Sequence, residues 1–599
     1  MFILGVSCFY HDSAAALLQD GLIIAAAEEE RFSRKKHDNG FPRLAIAFCL
    51  QKAGISENEL DYVVFYEKPL VKFERVLMSA LATVPRSWKV FGEGMINYFD
   101  EKLWIKTILM REIGVPSEKV LFTDHHMSHA ASAMFASPFD QAAVVTVDGV
   151  GEWTTASIGK ATAQWDGQGE NAIELSDELR FPHSVGLLYS AFTAYLGFEV
   201  NEGEYKVMGM APYGQPLYTD KVHKVVHVCN DGSIEMNLDY FSYHYSATQT
   251  YNSKFVELFG LPRVPESEFF TLTSYPKKDH PHWDEDRAVE NQRFADIAAS
   301  IQQVTEEIIL KMVNTAHEKT GLDKLVMAGG VALNSVANGR VMRESKFKEI
   351  YIQPAAGDSG GALGAALYVY HVMLGQPRRF IQEHCYLGAE YSDAQMKGAI
   401  QASGFPYQRI DDTEKLLDRA LDTILAGKVI SWFQGRFEWG PRALGSRSIL
   451  ADPRRSEMKD IVNSKIKFRE PFRPFAPVIL EEAAADYFTT AGLDKQYPPR
   501  FMLVVSPIKE DKQDKVQAVC HAGGTGRLQT VRRDWNPNYY RIVEKFGEAT
   551  GIPILMNTSY NLRGEPIVNS PEDALKTFGN SGIDQLLMGP FLVNKIVKR

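Results

Sequence analysis

Two short hairpin patterns place the strongest constraint on the fold of this chain. Near the start, the apolar runs 2–7 and 14–18 flank a polar turn, and the runs 143–147 and 154–158 flank a second turn that begins at Asp148. Alternating strand and turn signals of this kind predict β-hairpins. Because the same arrangement occurs twice, the sequence predicts an internal duplication in which each half presents its turn to a shared cleft.

A pair of glycines follows the two hairpins. The strand-like run that begins at Leu325 ends in Gly329 and Gly330, and a helix start follows from Val331 to Asn334. Paired glycines let the backbone approach a nucleotide closely, and the amino end of a helix attracts phosphates. In this order the elements predict an α/β domain of the actin-like and sugar-kinase-like ATPase class (the ASKHA fold), which binds ATP together with Mg²⁺. The helical periodicity of residues 294–313 predicts the helix that packs on its sheet.

Two histidines and two aspartates form a candidate metal site. His125 and His129 lie four residues apart among good helix formers, so their imidazoles share one helix face and can hold one ion. Asp148 and Asp358 each follow a strand-like run that ends in a Gly-rich turn, where α/β proteins place ligand-binding groups. The alternative for the histidines is partial burial with ordinary hydrogen bonds, and the two aspartates favour the metal site. His126 points about 100° away around the helix and is expected to be a neighbour.

Length and charge narrow the class of protein. A chain of 599 residues should hold more than one core, because single cores rarely exceed about 250–300 residues. The net charge of -10 gives no support to binding of nucleic acid or of a membrane surface. Five scattered cysteines without a CxxC pair indicate reduced thiols and a cytoplasmic protein. Neither a signal peptide nor a membrane span is expected from the sequence.

The helical pattern stops near residue 375, which predicts a domain boundary. We expect a first domain over residues 1–375 and a second over residues 388–599. Within the first, residues 239–286 lose periodicity and are rich in aromatic residues, His and Pro. We interpret this stretch as an insertion over the cleft, with acceptor binding as one role and a surface loop as the alternative.

Cationic residues in the second domain are interleaved with Gly, Pro and Phe. They lack the opposite charges at helical spacing that a solvated helix face carries. A pocket for several phosphates or carboxylates is therefore the favoured interpretation, with scattered surface arginines as the alternative. The residues concerned are Arg442, Lys467, Arg473, Arg527 and Arg563.

Several motifs together resemble those of the O-carbamoyltransferases of antibiotic, toxin and nodulation-factor biosynthesis. They are His11-Asp-Ser-Ala-Ala-Ala, the charged stretch 28–37, the double-histidine helix, Gly329-Gly-Val-Ala-Leu-Asn, Gly440-Pro-Arg-Ala-Leu-Gly, and Asn557-Thr-Ser-Tyr-Asn. The resemblance covers nearly the whole chain. It implies an amino-terminal domain similar to the tRNA-modifying Kae1 proteins and a carboxy-terminal domain similar to the YrdC threonylcarbamoyl-adenylate synthases. Ser446 departs from the His or Asn that is common in the family after the Gly-Pro-Arg run.

The resemblance also implies a reaction and a set of site residues. The second domain would use ATP and carbamoyl phosphate to make carbamoyl adenylate, with Arg442, Lys467, Arg473 and Arg527 as activation residues and Arg563 as a further candidate. The first would transfer the carbamoyl group to a hydroxyl. His11 would be its general base, or would only hydrogen-bond phosphate. The four metal ligands would be His125, His129, Asp148 and Asp358.

This donor set, with no thiolate, suits Fe²⁺, Mn²⁺ or Zn²⁺, and the likeness to Kae1 favours iron. The expected partners are carbamoyl phosphate and a small hydroxylated metabolite, with a homodimer as the family-based expectation. Aminoglycosides, macrolides, guanidinium toxins, cephems and lipo-oligosaccharides are all acceptors in the family. A tRNA threonylcarbamoyl enzyme is the first alternative function, and the acidic balance argues against it. A non-enzymatic regulatory protein of the ATPase fold is the second, but it would not need the cationic pocket.

Overall fold

The computed structural model describes residues 1–88, 92, 102–165, 167, 169–274, 282–493 and 496–596. The described residues form two units. The first comprises Met1–Ile24 and Asn39–Ile381, and the second comprises Ala25–Asp38 and Gln382–Arg599. Residues 25–38 thus belong to the second unit, which the expected division between residues 375 and 388 does not anticipate. In the described part of the chain, no helix has the length and apolar character needed to span a membrane.

Two sheets with the same topology confirm the predicted duplication. The first has the strand order β3-β2-β1-β4-β5, and the second has the order β12-β11-β6-β7-β8. In each, an antiparallel hairpin is followed by two parallel strands beside its first strand. A separate pair, β9 and β10, lies outside the two sheets, and β3 continues from the first unit into residues 25–28 of the second. The bounds of these strands are β1 Phe2–Ser7, β2 Ala14–Gln19, β3 Leu22–Glu28, β4 Tyr62–Phe65, β5 Val120–Phe122, β6 Gln141–Val147, β7 Thr154–Thr162, β8 Ala172–Arg180, β9 Val226–Val228, β10 Ile234–Met236, β11 Lys324–Ala328 and β12 Glu349–Ile352.

Helices cover these sheets. The predicted helix of residues 294–313 is longer than its apolar pattern and runs over Glu285–Thr320, where the Asp284 side chain caps its first turn and Gly321 ends it. Helix Asp358–Tyr368 approaches β1 so closely that a side chain at Gly5 would collide with the Ala362 carbonyl. The helices of the unit are Arg43–Ala53, Pro69–Ala82, Ile105–Ile113, His125–Met134, Val185–Tyr195, Glu204–Met210, Thr219–Val225, Ser253–Phe259, Glu285–Thr320, Ser335–Glu344 and Asp358–Tyr368.

The predicted insertion at residues 239–286 is only partly irregular. Its helix Ser253–Phe259 buries Phe255 and Phe259 against the rings of Phe192 and Tyr195. The long helix already begins at Glu285, inside the predicted range. Residues 275–281, which include most of the His- and Pro-rich motif, lie outside the described residues.

The second unit contains a nine-stranded mixed sheet in the order β13-β21-β20-β14-β15-β19-β16-β18-β17. Two amphipathic helices, Thr413–Leu425 and Pro537–Thr550, bury Leu417, Val543 and Phe546 in its apolar core. The strands are β13 Tyr407–Arg409, β14 Ile430–Phe433, β15 Arg447–Ala451, β16 Ala476–Leu480, β17 Val504–Pro507, β18 Thr525–Val531, β19 Ile554–Ser559, β20 Gln585–Met588 and β21 Phe591–Asn594. The helices are Glu30–Ser33, Asp393–Ser403, Thr413–Leu425, Glu457–Ile461, Ala484–Tyr487, Glu510–Gln513, Pro537–Thr550 and Pro571–Gly579. The α/β class predicted from the sequence is confirmed in both units.

Candidate functional site

Polar groups of the first unit gather where parallel strands end. Asp148 follows β6, the paired glycines follow β11, and Asp358 begins the helix that comes after β12. These three strands are parallel neighbours, so their carboxyl ends lie at one edge of the sheet. In the other sheet, the residues that follow β1, β4 and β5 include His11, Glu67 and His125. The arrangement follows the rule that α/β proteins bind ligands at the carboxyl ends of their strands.

The four predicted metal ligands lie together. Their ligand atoms are within 4.8 Å of one another, and all four residues are buried. The Nε2 atoms of His125 and His129 are 3.1 Å apart, and Asp148 Oδ2 is 3.1 Å from His125 Nε2. Asp358 Oδ1 lies 3.7 Å from His125 Nε2 and 3.8 Å from His129 Nε2. His126 turns away, because its two ring nitrogens bond to Thr146 and to the Thr154 carbonyl.

The cluster fits a divalent cation. Among the described residues, Asp358 Oδ1 has no hydrogen-bond partner although it is fully buried, and an unsatisfied buried carboxylate oxygen is costly. A cation between the two imidazoles and the two carboxylates would satisfy it. Two nitrogen and two oxygen donors without a thiolate are suited to Fe²⁺, Mn²⁺ or Zn²⁺.

A buried ion pair supports the ring of His125. Lys72 Nζ donates to both oxygens of Glu67, at 2.9 and 2.8 Å, and Glu67 Oε2 lies 3.6 Å from His125 Nδ1. Burial would raise the pKa of Glu67, but Lys72 and His125 outweigh it and lower that pKa to about 2. An ionised Glu67 favours a proton on Nδ1 of His125, which leaves Nε2 available as a ligand atom. Sequence reasoning missed Glu67, which lies two residues after the end of β4 but is not followed by the Gly-rich turn that identified Asp148.

His11 borders the cluster in the first hairpin turn. Its Nδ1 is 2.9 Å from Asp12 Oδ2, and its Nε2 is 3.9 Å from Asp358 Oδ2. Burial would lower the pKa of His11, but the carboxylates of Asp358, Asp12 and Asp148 raise it to about 9. A dication held by Asp358 and Asp148 would oppose those charges and favour the neutral imidazole that a general base requires. The carboxylate of Asp12 orients the ring as a carboxylate does in a catalytic triad.

The double-glycine turn adjoins the same cluster. Gly330 N donates to Asp148 Oδ1 at 3.0 Å, so one carboxylate is shared between this turn and the four-residue cluster. Gly329 has φ +94°, and a side chain there would lie 2.2 Å from the Val147 carbonyl oxygen. Asn334 caps helix Ser335–Glu344 by accepting from Ala337 N, and its amide also bonds to Gln302. Its side chain therefore has a structural role, whereas the backbone of Gly330 and Val331 forms the turn itself.

The cationic residues of the second unit meet at one end of four neighbouring strands. Strand pairing sets Ser448 of β15 opposite Ser559 of β19, and Ala476 of β16 opposite Asn557. Strand β18 runs parallel to β16. The starts of β15, β16 and β18 and the end of β19 thus lie on the same side of the sheet. This side carries Arg442 before β15, Arg473 before β16, Arg527 near the start of β18, and Lys467 through its contacts with the end of β19.

Lys467 is anchored within the protein. Its Nζ donates to the Ser559 carbonyl at 2.6 Å and to Asn561 Oδ1 at 2.6 Å, and it also contacts the Ser559 hydroxyl and the Asn561 carbonyl. Burial lowers the pKa of Lys467 well below its ordinary value, and Arg469 and Arg473 add to the effect. The lysine therefore orders the loop after β19, in which Arg563 is exposed.

Arg442 is partly exposed in a loop that Glu438 organises. Glu438 Oε1 accepts hydrogen bonds from the backbone amides of Leu444 at 2.8 Å, Ser446 at 2.7 Å and Arg447 at 3.2 Å. The serine that departs from the family pattern therefore contributes its amide to this support. Arg447, by contrast, is fully buried and donates to backbone carbonyls, so it is a structural arginine. Arg473 is partly buried and lies 3.5 Å from Glu470.

Comparison with known proteins identifies the family of the chain. The model of the carbamoyltransferase N-terminus matches residues 2–367, and the model of the carbamoyltransferase C-terminus matches residues 421–595. The uncharacterized protein sll1178 of Synechocystis is 46% identical over 99% of this chain and 96% of its own length. Nodulation protein NolNO of Sinorhizobium fredii is 37% identical over 98% of this chain and 79% of its own length. The 3'-hydroxymethylcephem-O-carbamoyltransferase of Amycolatopsis lactamdurans is 31% identical over 44% of this chain and 48% of its own length. The chain belongs to the carbamoyltransferase family.

Proposed function

We propose that the protein is an ATP-dependent O-carbamoyltransferase that acts on a hydroxyl of a small metabolite. The observation that carries the proposal is the presence in one chain of two sites of opposite charge, each in its own unit. One is the imidazole and carboxylate cluster beside His11, and the other is the cationic end of the nine-stranded sheet. A two-step reaction that first handles polyanions and then activates an alcohol needs both. The cephem transferase among the relatives is named for a hydroxymethyl acceptor, which supports the acceptor class.

The first step would form carbamoyl adenylate in the second unit. Water releases phosphate from carbamoyl phosphate, and an oxygen of the resulting carbamate attacks the α-phosphorus of ATP, so that pyrophosphate leaves. Arg442, Arg473 and Arg527 would hold the two polyanions close together and stabilise the charge that develops on the α-phosphate. Lys467 would keep the loop after β19 in place, and Arg563 at its exposed edge would contact the anions less directly. ATP would enter as its Mg²⁺ complex.

The second step would transfer the carbamoyl group in the first unit. His11 Nε2 removes the proton of the acceptor hydroxyl, the alcohol oxygen attacks the carbamoyl carbon, and AMP leaves with the bonding electrons. The Gly329–Gly330 turn, which carries no side chains, would let the adenylate phosphate approach the backbone closely. A cation held by His125, His129, Asp148 and Asp358 would supply positive charge for that phosphate, and iron is the favoured metal. The Asp12 carboxylate would stabilise the imidazolium that forms.

Pyrophosphate release tests the proposal directly. We expect the purified protein to release pyrophosphate only when ATP and carbamoyl phosphate are both supplied, and mass spectrometry should detect carbamoyl adenylate. No pyrophosphate under these conditions would favour a regulatory ATP-fold protein. A stable gel shift with tRNA, together with carbamoylation or threonylcarbamoylation of that tRNA, would favour the nucleic-acid alternative.

A further inference from the structure

An amino-terminal arm, defined as residues 28–37, belongs to the second unit, together with the chain from Gln382 onward. Its Glu28 Oε1 accepts a hydrogen bond from Gly440 N at 2.7 Å, and its Arg31 Nη2 donates to the Gly440 carbonyl at 2.7 Å. Arg31 Nε also faces Glu28 Oε2 at 3.5 Å. One carboxylate and one guanidinium thus form hydrogen bonds with the backbone N–H and C=O of a single glycine, two residues before Arg442.

The glycine that they hold has a backbone conformation that favours glycine over other residues. Gly440 has φ +104°, which lies in the left-handed region that side chains disfavour. It begins a loop whose far end is fixed by Glu438 through the amides of Leu444 and Ser446. Arg442 therefore lies between two carboxylate anchors, one local and one supplied by the arm.

The buried Glu28–Arg31 pair is better suited to fixing one backbone conformation than to stabilising the core. Glu28 and Arg31 are 5% and 2% exposed, and burial raises the pKa of Glu28 to about 7 although Arg31 opposes the shift. Burying two charges is costly, and apolar residues of similar size usually stabilise a core at least as well. What a buried pair provides is a fixed donor and a fixed acceptor, which select one conformation of the peptide between them. The arm also lies near the cationic residues. Burial, Arg469 and Arg473 lower the pKa of Lys467, and Lys36 of the arm adds to this effect.

We infer that Glu28 and Arg31 are positioning residues for carbamoyl-adenylate formation, which they serve by fixing the 440–446 loop and thereby the place of Arg442. The inference rests on the proposed function and adds to it residues that lie outside the stretch 421–595 matched by the carboxy-terminal family model. Misplacing a group that contacts the reacting phosphates by about 1 Å costs on the order of 100-fold in rate. Loss of the grip on Gly440 should therefore affect the activation step and leave the transfer step unchanged.

The test compares arginines of the same arm. In the full-length protein, we expect Arg31→Ala to lower kcat for pyrophosphate release by about 10- to 100-fold. Arg31→Lys, which can still donate to the Gly440 carbonyl, should recover most of the rate. Arg34 is the matched control, because it donates to the carbonyls of Pro566 and Ile567 at 2.8 and 2.7 Å and secures the arm elsewhere. Arg34→Ala should lower stability comparably and leave pyrophosphate release within about twofold of wild type, since its guanidinium contacts Asp573 and the Arg31 carbonyl but neither polar group of Gly440.

A double-mutant cycle separates positioning from general structure. If Arg31 acts through Arg442, then Arg31→Ala should cause little further loss in an Arg442→Ala background. Additive losses, or equal effects of Arg31→Ala and Arg34→Ala, would overturn the inference while leaving the proposed function intact. Should Arg31→Ala fail to fold, Arg31→Met, which keeps most of the side-chain volume and removes the donor to the Gly440 carbonyl, carries the same cycle. A wild-type protein that releases no pyrophosphate overturns the proposed function and this inference together, whereas transfer from preformed carbamoyl adenylate should be normal in every arm variant.

Discussion

The two sites have electrostatic fields of opposite sign. In the first unit, the carboxylates of Asp148, Glu67 and Asp358 raise the pKa of His125 to about 10, although burial alone would lower it. In the second, burial lowers the pKa of Lys467 well below its ordinary value, and the nearby arginines add to the effect. One site therefore attracts a cation, and the other attracts anions.

The sites also differ in how they are built. The four ligands of the first unit are buried side chains whose ligand atoms lie within 4.8 Å of one another, so their geometry is set before anything binds. The cations of the second unit lie on loops and strand ends, and the loop of Arg442 is held by carboxylates behind it. A compact site suits a single ion, whereas a spread set of part-exposed arginines suits two extended polyanions.

The largest expected effect is loss of the first site through Asp358→Ala. Asp358 Oδ1 lies 3.7 Å from His125 Nε2 and 3.8 Å from His129 Nε2. Removing this carboxylate should abolish metal binding and carbamoyl transfer and leave the fold intact. Elemental analysis and circular dichroism measure both outcomes. His126→Gln, in the same helix but turned away, is the control and should keep its metal. Full metal occupancy in Asp358→Ala would show that these residues are not the ligand set.

The second site should fail in a different way. We expect Arg473→Ala and Lys467→Ala to abolish pyrophosphate release, because the first removes a cation of the pocket and the second releases the loop after β19. Preformed carbamoyl adenylate should restore transfer. Lys467→Ala should in addition speed hydrogen exchange in the loop after β19, since Lys467 holds Ser559 and Asn561. Lys545→Ala, which breaks surface pairs with Asp418 and Glu414 in the same unit, is the control. Absence of rescue by the adenylate would mean that activation occurs elsewhere.

A smaller effect is expected at the border of the first site. His11→Asn keeps a hydrogen-bonding side chain but cannot accept a proton at neutral pH. It should form carbamoyl adenylate at a near-normal rate and transfer it roughly 10²- to 10⁴-fold more slowly, the usual loss of a general base. Single-turnover transfer from preformed adenylate measures the step. Near-normal transfer would leave His11 only the role of binding phosphate.

The smallest effect concerns stability beside the second site. The pKa of His521 is lowered to about 3, because burial, Arg527 and Lys459 disfavour the imidazolium, and its Nε2 lies 3.1 Å from the Phe475 carbonyl. The native state thus favours the neutral ring, so stability is complete above pH 6.5 and falls as the pH drops towards 3. Relative to wild type, His521→Gln should gain about 3 kcal/mol of stability as the pH falls from 7.5 to 4.5. Native-state hydrogen exchange of the β16 and β18 amides measures the difference, and an unchanged difference at the two pH values would contradict it.

Local spacing in the sequence was sufficient for part of this picture. Hairpins at residues 2–18 and 143–158 are short-range patterns, and they predicted the duplicated α/β unit because each strand pair is closed by its own turn. His125 and His129 were identifiable because four residues bring two side chains to one face of any helix. Asp148 and Asp358 were identifiable because strand ends in α/β folds carry ligand groups.

Tertiary structure alone decided which distant groups support these residues. Glu67 supports His125 because β4 lies beside β5 in the sheet, and the short run after β4 does not specify that contact. Glu28 and Arg31 reach Gly440 across more than four hundred residues, and no local pattern encodes a pairing at that separation. The site residues themselves can be predicted from the sequence, because periodic patterns extend over only a few residues. The groups that fix their positions follow from strand order and packing, which the whole chain determines.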